Sequence, residues 1–185
     1  MPIDADPVRP LKRIEAWLAR EHPHRLPLFR PETAPDTLRR VEARLGTTLP
    51  ADIRMLYAAH DGQPEGAPSL YLNQRWLPID VMAVAWEDLC HRHGDAAEPA
   101  EPGNSGVPTA PVWSTGWLPL FGSARGDHYC VDIRVRPSGP IIWFLYDQPE
   151  RAIIAHSITH MLERVADGVT SGRWRLDEGY DGFSD

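Results

Sequence analysis

The chain has 185 residues, 42% hydrophobic and 24% charged, proportions close to those of ordinary globular domains, so wholesale disorder is excluded and one core of common size is expected. Its formal net charge of −7 argues against a partner held through nucleic-acid phosphates, which need a basic footprint, and favours a basic partner instead. Cys90 and Cys130 are too few for a disulfide framework, the stretch MPIDADPVRPLKR has no apolar run of signal length, and no segment nears the roughly 20 apolar residues of a membrane span, so a cytoplasmic protein with reduced thiols is expected.

From Pro7 to Glu21, Leu11, Ile14, Trp17 and Leu18 recur at helical spacing and predict an amphipathic first helix. The prolines of HPHRLPLFRP then impose an extended lead-in. Thr33 is placed to cap a second helix with Pro35 in its first turn; Leu38, Val41 and Leu45 form its apolar face and Gly46 ends it. Pro50 starts a third helix, with Ile53, Leu56 and Tyr57 inward and Gly62 as its stop.

Leu70 to Leu72 and Trp76 to Ile79 read as short strands, and Asp80 as the cap of a helix reaching about Arg92, with Val81, Val84, Ala85 and Leu89 on its buried side. Residues 95–112 hold four prolines and two glycines and almost no large apolar side chain, which predicts an exposed loop or disordered insertion. Trp117 to Phe121, Tyr129 to Ile133 and Ile141 to Leu145 read as strands, the last apolar throughout and suited to a central position. GSARGD and RPSG between them are hairpin separators, making an antiparallel sheet the default. A last helix, Ser157 to Ala166, presents Ile158, Met161, Leu162 and Val165 with Gly168 just past its end; Arg173 to Leu176 adds an edge strand and DEGYDGFSD a frayed tail.

The series LGTTLPADIRMLYAAHDGQ, LPIDVMAVAWEDL, GWLPLFGSARGDHYCVDIRV and SGPIIWFLYDQPERAIIAHSITHMLERVADG resembles the SUKH superfamily, which includes fungal regulators of cell-wall assembly and bacterial immunity proteins against polymorphic toxins. Its most specific pieces are Leu49-Pro50, Asp61-Gly62-Gln63, Trp117-Leu118-Pro119, Gly126-Asp127 and Val131-Asp132. The resemblance implies an α+β core over 33–167, with 1–32 as an N-terminal helix and lead-in and 168–185 as an edge strand and tail. It also implies a binding role without naming the partner.

Signatures of chemistry are sparse. His156 and His160 have the i, i+4 spacing of a metal pair, but HSITH lacks the Glu of HExxH, and no third ligand is evident. Cys90, His91, His93 and Asp95 cluster at a helix end, where histidine is also favoured by the helix dipole. No GxSxG, GxxxxGK[ST] or GxGxxG is present. Asp127, His128 and Asp132 lie close on a hairpin, where a turn Asp and an outward strand Asp account for the acids. Trp113, beside the Pro-rich stretch, is the tryptophan least easily assigned to a core and the candidate exposed anchor.

The expectation is one α+β domain with a mixed, mainly antiparallel sheet covered by helices. It is expected to be an immunity protein that neutralises a bacterial toxin by binding the toxin domain through an acidic face, without catalytic residues, cofactor, metal, nucleic acid or membrane. Asp61, Glu65, Trp113, Asp127 and Asp132 are the candidate partner-binding residues. The alternatives are a regulatory scaffold in cell-wall or envelope biogenesis, and a hydrolase built on His128 or on His91 and His93.

Overall fold

A computed structural model describes residues 6–25, 27–94, 113–137, 139–148, 151–177 and 182–184; the loop expected at 95–112 lies outside them. In chain order come α1 (Val8–Glu21), α2 (Pro35–Leu45), α3 (Ala51–Ala59), β1 (Arg75–Trp76), α4 (Ile79–His93), β2 (Trp117–Gly122), β3 (His128–Asp132), β4 (Ile141–Phe144), β5 (Arg151–Ala155), α5 (Ile158–Thr170), β6 (Arg175–Asp177) and β7 (Gly182–Ser184). The first five strands form one antiparallel sheet in the order β1-β2-β3-β4-β5, and β6 and β7 pair as a separate ribbon. The α+β class and the antiparallel sheet agree with the sequence pattern.

The sheet is buried on both faces because its central strands carry apolar residues in both phases of the pleat. Tyr129, Val131 and Ile141 point into the larger core with α1, α2, α3 and α5, whereas Cys130, Ile142 and Phe144 point into a smaller cluster with Leu89, Trp113 and Trp117. Helix α4 packs on β2 and serves both sides, with Ile79, Met82 and Ala83 in the larger core and Leu89 in the smaller. This corrects the expected face of α4: Val81 and Val84 are exposed. The outward edge is tied instead to α2, by Arg40 to Asp80 (3.3 Å) and Arg44 to Glu87 (2.8 Å).

Proline opens α2 and α3 as expected, at Ala34-Pro35 and Pro50-Ala51, and Gly46 takes the left-handed conformation after α2 (φ 67°), but Gly62 does not stop α3, which ends at Ala59 with His60 extended at its cap position. Three other boundary assignments change. Ala34, not Thr33, occupies the cap position of α2; α4 begins at Ile79, ahead of Asp80; and α5 runs through Gly168 to Thr170. Gly168 is needed inside that helix because the Trp174 ring lies where a Cβ would be, 2.5 Å away. Ser157 caps α5 by accepting the His160 N–H at 3.0 Å.

Helix α1 lies along α5, its buried stripe of Leu11, Ile14, Trp17 and Leu18 joining the larger core. Arg13 bridges Glu163 (2.5 Å) and Asp167 (2.6 Å) across the seam. Strand β5, which has no strand pattern in the sequence, forms the far edge of the sheet. Arg151 anchors its start by lying over the Phe144 ring (4.3 Å) and donating to the Gln148 carbonyl oxygen (2.6 Å). The C-terminal segment is not a frayed tail throughout: Phe183 is buried, and β7 sits beside residues 69–72. Among the described residues no helix is long and apolar enough to cross a membrane.

Candidate docking surface

Asp61, Gly62 and Gln63 act together as a joint between α3, the loop after it and α4. Asp61 Oδ1 accepts the Ile79 N–H (2.9 Å) and the Thr33 hydroxyl (3.1 Å), and Arg30 pairs with Oδ2 (3.2 Å). A carboxylate thus reaches the first residue of α4 from 18 positions away in sequence and supplies the acceptor that Pro78, at the cap position, lacks. Gln63 is buried; its Nε2 donates to the Pro68 carbonyl oxygen (2.7 Å) while its Oε1 accepts the N–H groups of Leu70 (3.1 Å) and Trp76 (3.0 Å). Asp61→Ala is expected to lower stability by about 2–3 kcal/mol through the lost cap and the stranded Thr33 hydroxyl. Asp61→Asn, which keeps the acceptor oxygen, should lose less than about 1 kcal/mol. Urea denaturation of the two variants checks this, and equal losses would overturn the capping role.

The remaining candidates do not form one acidic face. Asp132 is only 7% exposed and turns onto Arg134, whose guanidinium donates at 2.6 and 2.9 Å and whose backbone N–H donates at 3.0 Å. Burial pushes its carboxyl up, but those hydrogen bonds and the guanidinium charge outweigh burial and hold it below the ordinary range. The outward-facing reading of Asp132 is therefore corrected: the side chain neutralises a neighbour. Asp127 lies at the other end of β3, where its Oδ1 accepts the Tyr146 N–H (3.0 Å) and joins the β2–β3 turn to the end of β4. Glu65 is exposed in the loop after Gln63.

Trp113 is not an exposed anchor. It is fully buried, edge-on to Trp117 (6.0 Å) and Phe144 (5.4 Å), because the second apolar face of the sheet needs a large ring to cover it.

The histidines singled out for chemistry are dispersed. His93 and His128 both rest against Phe144, at 5.7 and 6.4 Å. Burial pushes the imidazole of His128 below its usual range, opposed by the Phe121 carbonyl oxygen at 3.1 Å from Nδ1. Burial, with Arg151 and Arg92, likewise lowers His93. His156 and His160 stack at 5.8 Å with 9° between their planes. Among the described residues no group of three histidine, cysteine or acidic side chains could hold a metal; Asp95 lies outside those residues.

A groove of about 690 Å³ opens where the β2–β3 turn meets the turn before β1. Arg75, Arg125 and Asp127 supply its charges, Tyr129 and Trp143 its aromatic lining, and Leu72 an apolar rim that is 39% exposed. The turn that carries Leu72 and Asn73 is left-handed at both residues (φ 41° and 61°), closing Tyr71 onto Gln74. Such a pair suits Asn-Gly, and leucine there costs about 1–2 kcal/mol. Of this set only Asp127 is among the residues that the sequence marks as candidates, since an arginine without a carboxylate partner is recognisable only in three dimensions.

Comparison with known proteins matches the SMI1 / KNR4 family (SUKH-1) over residues 32–164. A glucan synthesis regulatory protein of Neurospora crassa is 24% identical over a stretch covering 90% of this chain and 39% of its own length. A KNR4/SMI1 homolog of Yarrowia lipolytica is 25% identical, covering 90% of this chain and 31% of that protein. The cell wall biosynthesis/cell cycle regulator smi1 of Schizosaccharomyces pombe is 25% identical over 75% of this chain and 31% of its own length. The chain thus spans between about three tenths and two fifths of the curated relatives it matches.

Proposed function

This chain belongs to the SMI1 / KNR4 family (SUKH-1), and from that premise we propose that it is a regulatory module of cell-wall or envelope biogenesis that works by binding another protein. The observation that carries the reading is the family match over residues 32–164, together with relatives whose names are those of wall and glucan-synthesis regulators. Those names favour regulation over the toxin-immunity role expected first from the sequence. The geometry is compatible with a binding role, which needs a rigid scaffold and an accessible groove and no nucleophile. The buried Asp-Gly-Gln joint and the double-faced sheet supply the scaffold, and the groove beside β1 supplies a concave polar surface.

Removing this domain from the protein in its native cells is expected to change the amount or composition of wall or envelope polymer and to sensitise the cells to wall-perturbing agents. Polymer analysis and growth on such agents check it. If the polymers and sensitivity are unchanged, and the cells suffer only when a toxin domain is supplied, the regulatory reading falls and immunity replaces it.

A further inference from the structure

We propose that the groove between the Tyr71–Gln74 turn and the β2–β3 turn docks an extended, acidic segment of the partner protein. This rests on the reading of the domain as a protein-binding regulator and names the chemistry that its groove recognises.

Charge is the first argument. The chain carries a net charge of −7, and many arginines elsewhere on its surface are matched to acids: Arg13 to Glu163 and Asp167, Arg44 to Glu87, Arg92 to Asp88, Arg134 to Asp132, while Arg136, Arg164 and Arg173 donate singly to carbonyl or hydroxyl oxygens. Arg75 and Arg125 line the groove, and neither has a carboxylate partner among the described residues. Asp127, the one acid lining the groove among the described residues, has an oxygen engaged by the Tyr146 N–H. Two unmatched guanidiniums in one concavity offer forked donors to carboxylates, the geometry at which Arg–carboxylate hydrogen bonds are strongest.

Polar groups left over inside the lining are the second argument. Gln74 is 4% exposed, and its Oε1 is buried with no hydrogen-bond partner among the described residues, as is Nε1 of Trp143. Both side chains line the groove. Burying such a group unpartnered costs about 1–3 kcal/mol, so a segment bearing backbone N–H and C=O groups gains by reaching them as the side chains adjust. Leu72, held outward by a backbone that leucine seldom adopts, offers an apolar contact beside the charges.

The size and charge select the occupant. A single phosphate would fill a small part of about 690 Å³, and a nucleic-acid backbone, charged at every nucleotide along its length, would meet far more of the acidic chain's repulsion than a peptide with a few carboxylates set opposite the two guanidiniums. A short extended peptide with alternating acidic and aliphatic residues places carboxylates toward Arg75 and Arg125 on one side and apolar groups toward Leu72 on the other.

The test is fluorescence anisotropy of the full 185-residue chain with a labelled peptide of alternating Glu and Val, and with its Lys-for-Glu counterpart. The acidic peptide is expected to bind, more weakly as salt is raised, and the basic one is not. R75E/R125E should lose about tenfold or more in affinity, whereas R39E/R173E, the same charge change outside the groove, should bind nearly as the wild type does. Should R75E/R125E fail to fold, R125E on the exposed turn carries the test, with about a threefold or greater loss. Absence of acidic-peptide binding, equal binding by both double variants, or displacement by an equal concentration of inorganic phosphate would each overturn the assignment. The regulatory reading would then still stand or fall on the wall-polymer measurement, which does not depend on this groove.

Discussion

Replacing Phe183 by alanine is expected to lower the unfolding free energy by about 3–5 kcal/mol, the range for truncating a large buried ring. Phe183 is 0% exposed, two positions before the last residue, with its ring 5.9 Å from that of Trp17 on α1. Its backbone is held as well: its N–H donates to the Ser69 carbonyl oxygen and its own carbonyl oxygen accepts the Leu72 N–H, each at 3.2 Å. The residue therefore ties the C-terminal ribbon to the N-terminal helix and to the strained turn at the groove. Urea denaturation followed by tryptophan fluorescence should show a lower midpoint with an unchanged slope. A loss below about 1 kcal/mol would mean that the segment is dispensable, as its composition first suggested. Because small domains are stable by only about 5–15 kcal/mol, the expected loss is a large share of the whole.

The same segment shows where sequence patterns stop being informative. Helices α2 and α3 were legible because proline at their starts, glycine after α2 and a single apolar stripe all pointed the same way. Strands β2, β3 and β4 were legible as short apolar runs between turn residues. Helix α4 was misread because Val81 and Val84 compete with Met82 and Ala83 for the inward face, so periodicity alone offers two stripes. Packing on β2 decides: Ile79, Met82 and Ala83 are buried there, and Asp80 and Glu87 are left outward, where they pair with arginines of α2. Strand β5 was missed because an edge strand need bury little; Ala152 and Ile153 are exposed, and no alternation marks them. A lone phenylalanine among Gly, Asp and Ser gave no period at all, yet it fills the core.

The candidate surface was less legible than the fold, for a related reason. In the sequence an acidic residue is visible only by type, whereas its role is set by its neighbours in the fold. Asp61 caps a helix remote in sequence, and Asp132 is consumed by an arginine two positions on. The local pattern Asp-x-Arg after a strand was the available warning for Asp132. No such pattern distinguishes Arg75 and Arg125 from paired arginines, because pairing depends on which acids the fold brings near. The proline-rich neighbourhood of Trp113 points to an exposed loop, whereas its burial follows from the apolar second phase of β3 and β4.

Gly62→Ala is expected to cost about 3 kcal/mol or more, and comparison with Gly46→Ala separates the two causes. Both glycines are left-handed, with φ 72° and 67°, so alanine at either meets the same backbone penalty of about 1–2 kcal/mol. At Gly46 nothing lies within 4 Å of an added Cβ, so the penalty ends there. At Gly62 the added carbon would lie 2.6 Å from Leu77 C and Pro78 N and 2.7 Å from the Leu77 carbonyl oxygen, all backbone that no rotamer change can clear. Overpacking of that kind adds about 1–3 kcal/mol. Relief would require Leu77 and Pro78 to withdraw, but Leu77 N–H donates to the Leu120 carbonyl oxygen of β2 (2.9 Å), and Pro78 immediately precedes the helix that Asp61 caps. Movement would therefore loosen β2 and the start of α4 together, and Arg30, whose N–H donates to the Gly62 carbonyl oxygen (2.9 Å), would follow. Parallel urea titrations should give a loss for Gly62→Ala at least about 1 kcal/mol larger than for Gly46→Ala. Equal losses would show that φ alone explains the glycine and that the contact with Leu77 and Pro78 is not what holds the Asp-Gly-Gln joint in place.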